Sequence, residues 1–413
     1  MSHHMTGGAR PLAVIGAIAL AGCASSTAPL DELPRSLTPA EASVVSSSNE
    51  FGLDLFGRLA ADTPDDNVFT SPLSAYIAIG MVANGADGST LEGIRSALHQ
   101  PGLTEEEANE AYRGLLDLFL HLDSSVELEI ANSIWYRETM TLRSEFASLS
   151  DRVFDAAVRG LSFDDPASVD VINGWVAART RDRIDEIVAE LPPELVMLLI
   201  NAIYFKGSWQ TQFDPDLTRP APFMLLDGSR VDVPMMTRPD VDSVRYADRD
   251  GMRAIELPYG RGAFAMTVIL PPDGVTPAEL AATLDGPAWM DLTDAFEDVS
   301  TFAMIGLPKF RLEWEAVLNP QLAAMGMSEA FTDHADLSRL FDEATGLTIS
   351  EVKQKTFVDV NEEGTEAAAV TSVGVSITSA PPSFIVDRPF IFAIRERFSG
   401  TVLFIGQVLD PRG

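Results

Sequence analysis

Cysteine is almost absent: Cys23 is the only one in 413 residues. An internal disulfide is excluded, so the fold must be held by its core. Histidine is scarce. His3 and His4 lie in the first few residues, leaving His99, His121 and His334, none at metal-ligand spacing. Neither a metal nor a cofactor is expected. No Gly-x-Ser-x-Gly elbow, P-loop or dinucleotide fingerprint occurs. Carboxylates abound, but no spacing singles out a pair for hydrolysis. The chain is therefore not expected to be an enzyme, and a hydrolase is the most distant of its readings. Basic residues are few, 29 against 61 acidic ones, for a net charge of −32. Such a surface argues against nucleic acid and anionic lipid as partners of the globular part. It favours a basic partner, and it also serves solubility.

What is present begins with length. A chain of 413 residues with 46% hydrophobic content makes one large domain or two of average size. No internal repeat and no long low-complexity segment is visible. Arg10 precedes an apolar run over 11–21, which is too short to span a bilayer and has the length of a signal peptide. Leu20, Ala21, Gly22 and Cys23 close it and resemble a bacterial lipoprotein signal, in which the cysteine thiol is lipidated. The resemblance implies a signal over 1–22 and export to a bacterial cell envelope. Lipid on Cys23 would anchor the chain to the outer membrane or cell surface. Residues 24–37, rich in Ser, Ala and Pro, read as a tether of roughly 14 residues reaching about 45 Å. The domain is expected over 38–413.

Periodicity supplies the elements. Thr38, Pro39, Ala40 and Glu41 form a capping box with proline at the first helical position, predicting a helix to about residue 60. Val68 and Phe69 predict a short strand. Ser71, Pro72, Leu73 and Ser74 predict a helix reaching Gly85, with the two serines as an N-cap and its neighbour. Further helices are expected over 105–122 and 168–190. Alternating residues over 127–136 and the nearly all-apolar run over 198–206 predict strands, the second buried. Strands are also expected over 233–236, 253–259, 264–272 and 302–310.

The organising stretch is 362–382. Between Thr365 and Ala380 it has no proline, and after Glu366 no charge. Thr365, Ala367, Ala369, Thr371, Val373, Val375 and Ile377 alternate with a more polar set that includes Ser372. That period of two marks a strand with one buried face. The alanines at its start suit a strand badly, and Pro381-Pro382 closes it with an extended, exposed path. From Thr365 to Thr378 the stretch reads as a segment able to pair as a strand of roughly 46 Å without being obliged to.

Glu362, Glu363, Gly364, Thr365, Glu366, Ala367, Ala368 and Ala369 resemble the hinge of the serpins, the serine protease inhibitor family. Pro381-Pro382, the run from Asp387 to Phe392 and the ending from Phe404 to Val408 resemble the segments downstream of a serpin's bait loop. Residues 67–74, 131–135, 199–209, 307–310 and 335–338 resemble further family motifs, so the likeness covers 38–411. It implies an α+β serpin fold: a large mixed main sheet, additional β-sheets, about eight or nine helices and an exposed reactive-centre loop. It also implies suicide inhibition of a serine protease, in a chain expected to be a monomer. The protease cuts the loop, an acyl-enzyme forms, and the loop inserts into the main sheet.

Family spacing places the cut at Thr378-Ser379, flanked by Ser376, Ile377 and Ala380; cleavage after Ile377 or Ser376 stays open. Threonine suits a small apolar pocket of the elastase kind, or a subtilisin-like one. No Lys or Arg occurs over 364–387, which argues against a trypsin-like target. Lys309 and Glu362 resemble the ion pair at the sheet's mouth, and Trp209 lies in the most family-specific run outside the loop. Ser71, Ser74 and Asn201 match the polar cluster under the sheet centre. Gln354 stands where the family usually has histidine, so any pH-dependent opening through that position is in doubt. A non-inhibitory binding or surface protein on the same fold is the alternative. It would call for proline or bulky charge after Thr365; up to Ala380 the sequence has no proline there, and its one charge is Glu366.

Overall fold

The computed structural model describes residue 1 and residues 28–100, 102–299, 302–342, 347–365 and 383–413. Cys23, Glu366, Ala367, Ala368, Ala369, Ser376, Ile377, Thr378, Ser379 and Ala380 lie outside the described residues.

The described residues form nine α-helices: α1 (Pro39–Asp62), α2 (Pro72–Ala83), α3 (Gly88–Ala97), α4 (Glu105–His121), α5 (Ser144–Phe154), α6 (Ala167–Arg179), α7 (Pro277–Ala281), α8 (Gly286–Asp294) and α9 (Asn319–Leu322). The first nine strands are β1 (Val68–Thr70), β2 (Val126–Arg137), β3 (Ala157–Leu161), β4 (Met197–Ser208), β5 (Arg219–Met224), β6 (Arg230–Val241), β7 (Val244–Arg249), β8 (Met252–Tyr259) and β9 (Phe264–Leu270). The rest are β10 (Glu297–Val299), β11 (Phe302–Pro308), β12 (Phe310–Val317), β13 (Glu351–Asn361), β14 (Gly364–Thr365), β15 (Ser383–Ile385), β16 (Phe390–Glu396) and β17 (Val402–Val408).

Three sheets result. A seven-stranded antiparallel sheet has the order β1-β17-β16-β9-β8-β7-β10, and a four-stranded sheet the order β15-β11-β6-β5. The third sheet is mixed, with the order β12-β13-β14-β4-β2-β3. Its β13 and β4 run parallel from Glu351–Leu198 to Thr356–Ile203. Beyond that point β14 stands between them, antiparallel to both: Thr365 pairs with Val360 and Gly207, and Gly364 with Asn361 and Ser208. The main sheet therefore already holds Gly364 and Thr365 of the hinge.

Local chemistry explains most of the elements. Thr38 and Glu41 close the expected capping box of α1, and Thr104 and Glu107 close one on α4. In β4 every residue from Met197 to Phe205 is buried, as its apolar run predicts. One large core joins α1, α2 and the seven-stranded sheet. A smaller one, built on Trp135, Ile172, Val176, Ile184 and Leu198, lies between α6 and the main sheet.

Four expectations are corrected. The helix expected over 168–190 stops at Arg179. Thr180 ends it: its hydroxyl bonds back to the Val176 carbonyl at 2.9 Å and accepts from the Ile184 amide at 3.1 Å. Arg181 and Asp182 then take positive φ angles of 52° and 58°. Ile184, Ile187 and Val188 are nonetheless buried, because Asn173 Oδ1 holds the Ile187 and Val188 amides at 3.0 Å. The apolar spacing is a true burial signal, met by an irregular path. Second, α2 ends at Ala83, short of Gly85. Third, Ser71 takes the N-cap position of α2 without capping it; its hydroxyl donates to the Leu403 carbonyl at 2.7 Å instead. Fourth, residues 28–37 are no free tether. Leu30, Leu33 and Leu37 pack on the main core.

Candidate functional site

The mouth of the main sheet gathers the four described hinge residues, Glu362, Glu363, Gly364 and Thr365. Gly364 has φ +144°, and a Cβ there would lie 2.2 Å from the Gly207 carbonyl oxygen and 2.7 Å from the Trp209 amide nitrogen. Only glycine allows this approach. The segment after β4 then takes the backbone of the hinge in hand. Trp209 donates through its ring nitrogen to the Asn361 carbonyl at 2.9 Å and through its amide to the Glu363 carbonyl at 2.8 Å. The Phe213 amide donates to the Glu362 carbonyl at 2.9 Å.

Glu362 and Lys309 are joined at 2.8 Å, and the Thr218 hydroxyl donates to the other carboxylate oxygen at 2.7 Å. Burial pushes the Glu362 carboxyl up. The bonds from Lys309 and Thr218 outweigh it and hold the group below the usual carboxylate range. Thr365 is 1% exposed and shares a hydrogen bond of 3.0 Å with the Tyr259 hydroxyl. Tyr259 stacks on Trp209 with centroids 4.5 Å apart and planes 13° from parallel. Burial raises its hydroxyl far above the ordinary tyrosine value, so it stays neutral beside the hinge.

Lower in the sheet, where β13 and β4 still pair, lies a second polar cluster. Gln354 on β13 is fully buried and pairs in register with Asn201 on β4. Its side-chain oxygen accepts from the Thr70 hydroxyl at 2.6 Å and the Ser71 amide at 3.0 Å. Its nitrogen donates to Asn201 Oδ1 at 2.7 Å and to the Ser71 carbonyl at 3.1 Å. Asn201 donates in turn to Ser74 Oγ and, at 2.6 Å, to Asn132 Oδ1 on β2. Thr356 Oγ1 donates to the Phe69 carbonyl at 2.5 Å. The cluster ties three strands of the main sheet to the start of α2. All four bonding positions of the Gln354 amide are used.

The structure thus brings Glu362, Glu363, Gly364, Thr365, Trp209 and Lys309 to one mouth, and Ser71, Ser74, Asn201 and Gln354 to one junction below it. Sequence reasoning missed Tyr259, Thr218, Thr70 and Asn132. Thr70 and Asn132 lie inside family-like motifs, beside Ser71 and Ala131. Tyr259 and Thr218 carry no local signal, since only the fold brings them to residues more than a hundred positions away. His334 and His121 are exposed, and among the described residues no group of three His, Cys, Asp or Glu side chains is placed to hold a metal.

A family model described as "Serpin (serine protease inhibitor)" matches residues 46–411. The chain is 30% identical to human Serpin B11 over 391 residues, covering 89% of this chain and 100% of that one. An "Uncharacterized serpin-like protein" of Methanosarcina acetivorans is 31% identical, covering 90% of this chain and 87% of its own. Among solved structures, the thermophilic serpin tengpin in its native state matches with a TM-score of 0.82 and 31% identity, covering 92% of this chain and 96% of its own. The fold, the two-residue strand at the mouth and these likenesses agree: the chain belongs to the serpin family.

Proposed function

We propose that the chain is a suicide-substrate inhibitor of an elastase-like or subtilisin-like serine protease, cut at about Thr378-Ser379. The observation that carries this reading is β14. A glycine that nothing else can replace and a buried threonine already lead the loop into the main sheet, between the two strands that an inserted loop would separate. No catalytic group of the chain's own is required, because the protease supplies the nucleophile. Its acyl bond to the cut loop survives if insertion outruns hydrolysis. The hinge resembles those of inhibitory serpins in its alanines, in lacking proline, and in carrying no charge after Glu366. Mixed with an elastase-like protease, the protein should give a band of summed mass that survives boiling in detergent, and trypsin should give little. Cleaved chain alone from every protease would leave the non-inhibitory binding reading in its place.

Export and lipid attachment at Cys23 complete the proposal, resting on Leu20, Ala21, Gly22 and Cys23. Cys23→Ser should release the protein from membranes, since it removes the only thiol. Unchanged membrane fractionation would rule this site out.

A further inference from the structure

Residues 28–37 have no helix or strand of their own, yet they are fastened to the body at both ends. Upstream, the Leu30 amide donates to the Arg261 carbonyl at 2.7 Å, and Arg261 Nε donates to the Ala28 carbonyl at 2.8 Å. Downstream, Arg35 forks onto Glu41 at 2.6 and 2.7 Å and reaches the Gly114 carbonyl on α4 at 3.2 Å. Glu41 is buried and accepts the Thr38 amide at the start of α1 at 2.8 Å. Leu30, Leu33 and Leu37 are half-buried between these points. The segment is a strap laid over the surface.

Its upstream fastening falls on residues 259–262, the turn between β8 and β9. Three other contacts converge there. Tyr259 holds Thr365. The Gly260 amide donates to the Ser208 carbonyl at the end of β4, and the Arg261 amide to Asp123 Oδ2 before β2, both at 2.7 Å. The turn is tight: Gly260 has φ +50°, and a Cβ there would lie 2.2 Å from Ser125 Oγ.

A strand that enters between β13 and β4 must push β4 aside. β2 pairs with β4 from Val126–Gly207 to Tyr136–Met197, so it moves too, with the loop before it. β8 and β9 belong to the other sheet and need not move. The turn is therefore where the moving and the stationary parts meet, and the strap ties that turn to α1 and α4. We propose that residues 28–37 restrain the opening of the main sheet. Through Arg261 they hold the turn where Tyr259 keeps Thr365, and this raises the barrier to further insertion. The inference rests on the opening sheet of the proposed function.

The test uses no protease. The full chain is incubated with a synthetic peptide of the sequence of residues 366–378, and uptake is followed by native electrophoresis and by the rise in unfolding temperature. Arg261→Ala removes the bond to Ala28, and Leu30→Asp removes an apolar seat. Each should speed uptake about tenfold, the factor for a lost bond of ordinary strength that the open state does not use. The double variant should be little faster than either, because both undo one fastening. Asn67→Ala is the control. Its side chain bonds Leu409 and Asp410 at the opposite strand ends of the seven-stranded sheet. Unchanged uptake in both strap variants, or equal acceleration by Asn67→Ala, would overturn the strap inference alone. A wild-type protein that takes up no peptide at all would overturn the opening sheet and the strap with it.

Discussion

Thr365 is held in β14 between β13 and β4, buried against Tyr259. Alternation places it first in the inward-facing set. An arginine there would carry its charge into that buried seat, so Thr365→Arg should displace β14 from the sheet to keep the charge hydrated. The intact variant should lose the Tyr259 bond, about 1 kcal/mol, and unfold roughly 1–2 °C lower. It should still be cut, yet trap little protease, since the loop cannot re-enter past a buried cation. Ser372→Arg, on the outward set, should match wild type in both measurements. An unchanged melting point for Thr365→Arg would show that the seat beside Tyr259 is empty in solution. Other residues give no warning at all. Glu256 has a fully buried side chain and pairs with Arg395, with Arg397 at 2.7 Å and with Arg245 at 3.3 Å. Those partners lie 11 to 141 positions away along the chain, beyond any local pattern.

At the scale of elements, legibility tracks locality. Helices with a capping box and strands with a clean period are readable, because their signals lie within a few residues. The stop of α6 at Thr180 is not, because an apolar spacing says that residues are buried and not which backbone buries them. The strap escapes sequence reading for a related reason. Leu30, Leu33 and Leu37 stand at helical spacing, but Pro34 interrupts it, no helix forms, and their seat is made by other elements. The junction of β13, β4 and the start of α2 is half legible: Ser71, Ser74 and Asn201 stand out in the sequence, but their bonds do not. Here Gln354 does what a neutral amide does well, accepting twice and donating twice. Gln354→Leu strips the Thr70 hydroxyl, the Ser71 amide and Asn201 of those bonds in a fully buried place. The cost should be about 2–4 kcal/mol, read from the denaturant midpoint. Because an amide does not titrate, the wild-type junction should hold equally across the range where histidine changes charge, about pH 5 to 8. Unaltered stability in the leucine variant would mean that the junction does not hold the strands together.

At the scale of the molecule, the main sheet is unfinished. Its strands β13 and β4 pair directly from Glu351–Leu198 to Thr356–Ile203, and only two residues of β14 separate them above. A strand with the alternation of residues 365–378 fits that place in period and polarity. Full entry would give its backbone partners on both sides and bury Ala367, Ala369, Val373, Val375 and Ile377. In the intact chain β15 pairs with β11 over Met304–Ser383 to Gly306–Ile385, which fixes the chain just beyond the loop and opposes that entry. On the proposed mechanism, one cut near Thr378-Ser379 would free the inner arm from that constraint. The cleaved chain should then gain several kcal/mol and unfold roughly 5–10 °C above the intact one. Scanning calorimetry of the protein before and after nicking by a protease that does not become trapped reads this directly. Thr365→Arg, nicked in the same way, should show little of the rise, because its entry is blocked at the first inward residue. Equal melting points for intact and nicked wild type would mean that the loop stays outside after cleavage. The sheet would then be complete as it stands, and trapping by insertion would be ruled out.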